Sequence, residues 1–318
     1  MCAQPSMSIS DETIATRRTR LIVNPSSRSG RGLNVLRRYL DDRQVPLRLE
    51  WIESRSADDW HHLIRAAQDD DIDALAIAGG DGTVTMTLNA LEGCNRVPLG
   101  ILPTGTGNDF ARDLGISSYL PEACEVLWRG QPRYVDAGRA TWLDGRITRF
   151  GCVASVGFDH EALRIVHDSG WPRSKALNFY ASLRALWSYQ PKRVSVSWQH
   201  GEFQGQAMFV AVSNTRGYGG GFMLSPDARI DDGVLNVYLM PRTRRLRMLR
   251  EFWRVFRKGA DAIPELIQVT SPWVRIDCLN ERLPVAIDGE PLRHSTPVLL
   301  SAEARALGVL APSEEVRG

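Results

Sequence analysis

Between residues 20 and 135, short apolar runs alternate with stretches whose apolar residues recur at helical spacing. That alternation is the pattern of a parallel α/β layer. Arg20 to Val23 predicts a strand ending at Asn24-Pro25, and Leu33 to Leu40, after a Ser/Gly/Arg loop, predicts a helix. A second strand is expected over Leu47 to Ile52, a helix over Ala57 to Gln68, a third strand over Ala74 to Ala78, a helix over Val84 to Leu91 and a fourth strand over Pro98 to Leu102. Glycines follow the third and fourth strands, where an open α/β sheet places its ligand crevice. After about residue 136 the pattern turns β-rich, with segments at Arg193 to Trp198, Ala207 to Val212, Val234 to Met240, Trp273 to Cys278 and Pro284 to Ile287. A mainly antiparallel β domain is expected there, interrupted by helices over Glu161 to Tyr189 and Arg244 to Lys258. Neither repeats nor low-complexity segments break the pattern.

With 318 residues, 43% apolar and 24% charged, the chain is large enough for two domains and apolar enough to fold. Lys+Arg 39 against Asp+Glu 37 leaves +2, which excludes the global basic field of a dedicated nucleic-acid binder. Only Lys175, Lys192 and Lys258 are lysines, so phosphate contacts fall mostly to guanidinium groups. The five cysteines are scattered, odd in number and without zinc or disulfide spacing, which points to a reducing cytoplasm. No run approaches the roughly 18 apolar residues of a membrane span, and the first twenty residues have no apolar signal core. Residues 1–17 read as a disordered leader, 18–135 as an α/β nucleotide lobe, 136–312 as a β lobe and 313–318 as a tail.

The sharpest local signal is Gly79-Gly80-Asp81-Gly82-Thr83-Val84, between a strand and a helix. Its glycines permit positive φ and close approach of backbone N–H groups to an anion, and a helix starting near Thr83 adds its positive end and a capping hydroxyl. An acidic residue in a phosphate-binding turn implies a divalent cation between the two, so Asp81 implies Mg²⁺. The plainer alternative is a tight turn chosen for shape. A second cluster, Thr104-Gly105-Thr106-Gly107-Asn108-Asp109-Phe110-Ala111-Arg112, offers hydroxyls, bare backbone and another carboxylate, although such composition is also ordinary in turns. P-loop and dinucleotide fingerprints are absent, because no Gly-Lys-Ser/Thr follows and Phe110 replaces the third glycine. Asp288-Gly289-Glu290 ends a late strand, either as a metal-and-base pair or as a solvated acidic hairpin turn. Ser213-Asn214, Gly219-Gly220-Gly221 and Asp231-Asp232-Gly233 form a cation site or an ordered glycine loop.

Taken in order, Asn24-Pro25 with Ser29-Gly30, Gly79 to Thr83, Gly105 to Ala111, Gly219 to Gly221 with Asp232-Gly233, and Asp288 to Glu290 resemble the diacylglycerol kinase catalytic-domain family over about residues 20 to 312. The chain is especially similar to the bacterial soluble lipid kinases, whose relatives include sphingosine and ceramide kinases. The resemblance implies a Rossmann-like α/β nucleotide lobe and a C-terminal β-sandwich lobe, with ATP and Mg²⁺ in the cleft between them. It assigns ATP contacts to Gly79, Gly80, Asp81, Gly82, Thr83, Val84, Thr85 and Thr106, with Asn24 and Arg31 nearby. Asp81 and Asp109 would organise the catalytic Mg²⁺, Asp288 would join that network, and Glu290 would deprotonate the lipid hydroxyl. Asp232, with carbonyls of Arg229 and Val234, would hold a structural Mg²⁺. Arg31 stands where relatives often carry lysine, and either Trp51 or Ser54 takes the place of a threonine ending the second strand. Lys175 matches a basic residue of the sandwich lobe.

The expected activity is transfer of the ATP γ-phosphoryl group to a membrane-lipid hydroxyl, that of diacylglycerol first. Phosphatidylglycerol, ceramide or a sphingoid base are alternative acceptors. Rivals are an NAD kinase or phosphofructokinase-like enzyme, against which the second Thr/Gly loop argues, and a non-catalytic lipid- or nucleotide-binding regulator. Expected partners are the lipid and an anionic membrane surface rather than nucleic acid, with room for a homodimer. Between Arg244 and Lys258, Leu246, Met248, Leu249, Phe252, Trp253, Val255 and Phe256 form one half of a helical wheel and six basic residues the other. This helix either packs on the sandwich lobe or also docks on anionic headgroups, which would make the protein cytoplasmic and transiently peripheral to the inner face of the cell membrane.

Overall fold

The computed structural model describes residues 17–24, 30–42, 47–93, 96–171, 175–243 and 265–313. The expected leader up to residue 16, Pro25, Ser29 and the amphipathic segment 244–258 lie outside these. The first element, β1 (Arg17–Val23), starts three residues before the run that predicts it and is followed by α1 (Gly30–Asp42), β2 (Leu47–Glu53), α2 (Ala57–Ala67) and β3 (Ala74–Gly79). Then come α3 (Asp81–Ala90), β4 (Leu99–Pro103), α4 (Asp109–Asp113) and α5 (Leu120–Arg129). Every residue of β3 is buried, as in a parallel strand covered on both faces. Helix α2 shows how local sequence fixes an element. Ser56 caps it by accepting from the Asp59 amide at 3.1 Å, Asp58 and Asp59 sit at its positive end, and Trp60, Ile64 and Ala67 bury one stripe.

The parallel strands lie in the order β2-β1-β3-β4. Chain direction across the sheet therefore reverses between β1 and β3, and the crevice at that switch point lies beyond their carboxyl ends. Asn24 and Gly80 flank it.

The second lobe comprises β5 (Gln131–Trp142), β6 (Ile147–Phe150), β7 (Val153–Gly157), α6 (Phe158–Asp168), α7 (Lys175–Ser188), β8 (Lys192–Trp198) and β9 (Gly201–Ser213). Short strands β10 (Gly217–Tyr218) and β11 (Phe222–Met223) precede β12 (Leu235–Pro241), β13 (Ile267–Ser271), β14 (Trp273–Cys278), β15 (Pro284–Ile287), β16 (Glu290–Ser295) and β17 (Val298–Ala311). Antiparallel pairing runs β16-β15-β7-β9-β8-β14-β17, with β12 joining β9 to β13. A core of β-branched and leucine side chains, including Val156, Val196, Val212, Val237, Val274, Ile276 and Leu300, fills this lobe. The α6–α7 pair forms a separate cluster on β7, β9 and β12.

Two long strands connect the lobes. β5 and β17 pair antiparallel from Ala311↔Gln131 to Val298↔Trp142, with a register shift between Glu303 and Leu307. One end of β17 pairs with β14, and the other pairs parallel with β4 through Val309↔Leu99. Leu307 and Val309 are thus buried in the core of the first lobe. The composition change expected near residue 136 falls inside β5.

Asp136 explains why the chain can cross there. It is buried in β5, where its Oδ1 accepts from the Arg305 amide at 2.8 Å and its Oδ2 from the Gly233 amide at 2.6 Å. Its backbone carbonyl accepts from Asn214 Nδ2 at 3.1 Å. One carboxylate therefore ties the shifted stretch of β17 to the loop that carries Asp232. Asp136→Ala would leave both amides without acceptors, at about 1–3 kcal/mol for each buried group. Its thermal unfolding midpoint is expected to fall by several degrees in a calorimetric scan.

Candidate active site

The two glycine loops meet at the carboxyl ends of β3 and β4. The Thr104 amide donates to the Gly79 carbonyl at 3.0 Å, and a Cβ on Gly105 would strike the Cα of Gly80. Close approach, not positive φ, is what these glycines supply, since none of Gly79, Gly80, Gly82, Gly105 and Gly107 has positive φ. The positive φ falls on Asn108, at 55°, whose side chain closes its own loop by accepting from the Gly105 amide at 3.0 Å and donating to the Gly105 carbonyl at 2.9 Å.

Helix α3 begins at Asp81, three residues before the expected Val84. Its N-cap is Gly80, without a side-chain cap, so Thr83 is not the capping residue. The Thr83 and Val84 amides both donate to the Gly80 carbonyl, at 2.9 and 3.1 Å, and both side chains are buried. The first-turn amides of Asp81 and Gly82 are the ones a helix leaves without intrahelical partners. A Cβ at Gly82 would meet nothing within 4 Å, so this backbone borders open space. Thr106 is exposed beside it, and Thr104 Oγ1 is buried with no hydrogen-bond partner among the described residues.

Asp81 and Asp109 converge on Gly107. A Cβ at Gly107 would lie 2.6 Å from Asp81 Oδ2 and 3.5 Å from Asp109 Oδ2, so only glycine leaves space between the carboxylates. Asp81 Oδ1 accepts from the Phe110 amide at 3.0 Å and lies 4.0 Å from the Cys152 thiol. Burial, and then the charges of Asp109 and Asp288, push its carboxyl up to about 6. Asp109 is paired with Arg112 and accepts from the Gly220 amide at 2.7 Å, while Arg112 also donates to the Gly107 carbonyl at 2.6 Å. The Gly219–Gly221 loop is thereby fastened onto the second glycine loop.

The Asp288–Gly289 turn has positive φ at both residues, 47° and 80°, and joins β15 to β16 with Ile287 opposite Glu290. It is the hairpin that the plainer sequence reading foresees, of the primed type that suits strand twist, but its aspartate is half-buried and turned to protein donors. Asp288 Oδ1 accepts from the Cys152 and Val153 amides at 2.8 and 2.9 Å. Its Oδ2 accepts from the Gly151 amide at 2.8 Å and the Thr85 hydroxyl at 2.5 Å. Burial raises its pKa, and these donors oppose that shift. Four donors use its acceptor sites, leaving Asp288 as an anchor and not a free base. Glu290, two residues on, is exposed at the start of the edge strand.

Thr85 is thus committed to the opposite lobe. Asn89, one turn further along α3, donates to the Arg149 carbonyl at 3.0 Å and accepts from the Arg149 amide at 2.8 Å. Asn214 Nδ2 holds the Gly151 carbonyl at 2.9 Å. Asn89, Asn214 and Arg112 are structural members of the site to which the sequence reading gave no role, although Asn214 and Arg112 stand inside quoted motifs.

Other expected site residues are more dispersed. Asn24 and Ser54 lie at the carboxyl ends of β1 and β2, where the Ser54 amide donates to the Val23 carbonyl at 2.9 Å. Trp51 sits mid-strand opposite Leu21, so Ser54 is the residue on the crevice side. Arg31 lies in the first turn of α1. Asp232 is exposed, its Oδ1 accepting from the Val234 amide at 3.2 Å, whereas neighbouring Asp231 pairs with Arg133 and Arg229. Asp232 is therefore the carboxylate of this pair that makes no ion pair among the described residues.

The donor set suits a hard cation. Asp81 and Asp109 offer oxygen ligands in a region of accumulated negative charge. Mg²⁺ commonly takes one or two carboxylates together with substrate phosphates, and no three His, Cys, Asp or Glu side chains form a metal cage among the described residues. Asp232 with backbone carbonyls is likewise an all-oxygen set.

Known proteins resemble this chain over most of its length. Residues 18–140 match the family model for the diacylglycerol kinase catalytic domain, and residues 152–311 match that for the YegS C-terminal NAD kinase beta sandwich-like domain. A diacylglycerol kinase of Mycobacterium tuberculosis is 32% identical over 259 residues, 80% of this chain and 82% of that one. The chain belongs to the diacylglycerol kinase catalytic-domain family. A Bacillus subtilis diacylglycerol kinase is 27% identical over 86% of this chain and 90% of its own. The structure of a diacylglycerol kinase from Bacillus anthracis superposes with a TM-score of 0.69, at 21% identity, over 93% of this chain and 97% of that one. Membership makes the protein a lipid kinase, an enzyme class whose phosphoryl donor is ATP. No helix among the described residues is long and apolar enough to cross a membrane.

Two outcomes follow from the geometry of this kinase. Thr85→Val removes the hydroxyl that joins α3 to Asp288 and is expected to lower kcat about tenfold with little change in KM for ATP, while Thr85→Ser retains activity, as steady-state kinetics would test. Asp81 has a folded-state pKa above its unfolded value, so ionisation opposes folding as pH rises through about 6. In metal-free protein at pH 7.5, Asp81→Asn is expected to raise the melting temperature by about 2–4 °C for each kcal/mol relieved. That gain should shrink toward pH 4, and the variant should be inactive.

Proposed function

We propose that the kinase transfers the γ-phosphoryl group of ATP, with Mg²⁺, to the hydroxyl of diacylglycerol, and that it meets this lipid by binding peripherally to a membrane. The observation that supports this reading is the convergence of Asp81 and Asp109 on Gly107 at the junction of two glycine loops, with the acidic hairpin of the other lobe fixed to the same helix through Thr85. Phosphoryl transfer asks a protein for positioning and charge neutralisation more than for covalent chemistry.

In this reading the α3 amino end and the open backbone at Gly82 receive phosphate oxygens, with the Thr106 hydroxyl and the unpartnered Thr104 hydroxyl as further contacts. Asn24, Ser54 and Arg31 border the same crevice. Asp81 and Asp109 would hold Mg²⁺, which supplies positive charge to the phosphates as charge shifts during transfer. Glu290 accepts the proton of the attacking hydroxyl, because the acceptor sites of Asp288 are already filled and its part is to hold the hairpin that presents Glu290. Asp232, with carbonyls of Arg229 and Val234, would hold a second, structural Mg²⁺ beside the loop anchored by Asp136. The M. tuberculosis and B. subtilis relatives are named for diacylglycerol, and that name is the ground for choosing this acceptor over other lipids.

Labelled ATP, Mg²⁺ and a total lipid extract provide the test, with labelled phosphatidic acid as the expected product. Label on a different lipid would change the acceptor, and no labelled lipid would remove the reading. Glu290→Gln is expected to lower kcat by about 10²–10⁴ with ATP binding unchanged. Near-normal turnover in that variant would show that another group takes the proton.

A further inference from the structure

The α6–α7 pair carries three strongly exposed rings. Trp171, in the connection between the helices, is 72% exposed, and Tyr180 and Trp187 on α7 are 55% and 54% exposed. On its inner side α7 buries Ala181, Ala185 and Leu186 against Val153, Phe158, Ala162 and Val166. On its outer side Ala176, Tyr180, Arg184 and Trp187 follow one another at spacings of four, four and three, which is a single stripe. Tyr180 and Trp187 are about 10 Å apart along the axis.

The charge on this face is one-sided. Helix α7 contains Lys175 and Arg184 and no acidic residue, and Arg184 has no carboxylate partner among the described residues. Helix α6 differs, because its Arg164 is paired with Glu161 at 2.7 Å and Asp168 at 3.0 Å. Tyrosine and tryptophan rings, apolar with one polar atom, favour the boundary between hydrocarbon and water, and a cation beside them favours anionic headgroups. A second copy of the chain fits less well. A two-fold interface through this stripe would bring Arg184 near its own copy with no acid on the face to pair with it.

The position suits the chemistry. Helix α6 contacts β15 and β16, which flank Asp288 and carry Glu290, and α7 lies against α6. We propose that the outer face of α7, together with Trp171, is the surface on which this kinase docks to an anionic bilayer. The proposal rests on the lipid acceptor of the preceding reading.

The test is co-sedimentation of the full chain, without ATP, with phosphatidylcholine vesicles that contain or lack phosphatidylglycerol. Activity is measured in parallel on vesicle-borne diacylglycerol and on a short-chain, water-soluble diacylglycerol. The triple variant Trp171→Ser, Tyr180→Ser, Trp187→Ser is expected to partition at least about tenfold more weakly and to lose vesicle activity, while turnover of the soluble acceptor is unchanged. Arg184→Gln is expected to weaken binding about fivefold, only on anionic vesicles and only at low salt. Unchanged partitioning of the triple variant would overturn the proposal. So would a wild-type dimer, seen by sedimentation velocity, that the triple variant abolishes without loss of vesicle binding. If the triple variant loses activity on both acceptors, the single variants Trp187→Ser and Arg184→Gln decide by the same partition measurement. Absence of any lipid phosphorylation by wild type would remove the proposed acceptor but leave the partition result standing.

Discussion

The geometry of the cleft depends on one carboxylate with its acceptor sites filled. Asp288 is held by three successive amides, those of Gly151, Cys152 and Val153, and by the hydroxyl of Thr85. Burying a carboxylate in this way is costly unless every acceptor site is used, and a half-satisfied version would be worse than an apolar contact. The amides come from the entry to β7, the hydroxyl from α3 and the aspartate from the β15–β16 turn, so three segments far apart in sequence share one satisfied ion. Moving any of them leaves charge or donors unpaired, and the site inherits its rigidity from that penalty.

Around this anchor the acidic groups divide their work by environment. Asp81 is buried near two other negative charges and has its carboxyl pushed up to about 6, the mark of a group that gains from a cation. Asp109 already has Arg112 and the Gly220 amide, so it is fixed before any ligand arrives. Glu290 stays exposed. The Cys152 thiol beside Asp81 is pushed up by burial and remains a neutral, weak donor instead of a nucleophile. Like charges held this close to one another oppose folding unless a cation or a proton offsets them.

Much of this was legible in the residues, and the gaps have physical causes. Continuous apolar runs and the glycines after them fixed the parallel strands and the crevice, because strand burial and close backbone approach demand those residue types. Local pattern misplaced the start of α3, since Thr83 looks like a cap but lies buried in the first turn behind Gly80. It also could not show that Asp288 is enclosed, because the donors that enclose it are mostly backbone amides, which carry no sequence signature. Asn89, Arg112, Asp136 and Asn214 are ordinary polar residues in sequence, and only the fold gives them buried partners. Ser54 stands just past the carboxyl end of β2, whereas strand register, invisible in a single sequence, puts Trp51 within the strand opposite Leu21.

The placement of β17 also bears on how the chain is made. The strand that closes the outer edge of the first lobe's sheet spans Val298–Ala311, so β4 can acquire that neighbour only after about two hundred further residues have been synthesised. Until then the growing chain presents β4 as an open strand edge, the kind of template that invites pairing with other chains. Completion of the first lobe is thus coupled to that of the second. A product that stops short of Leu307 would also lack Leu307 and Val309, which belong to the first lobe's own core. The two halves of the sequence thus share one core through β17, and expression of residues 17–130 alone would yield an incomplete core with an unprotected edge.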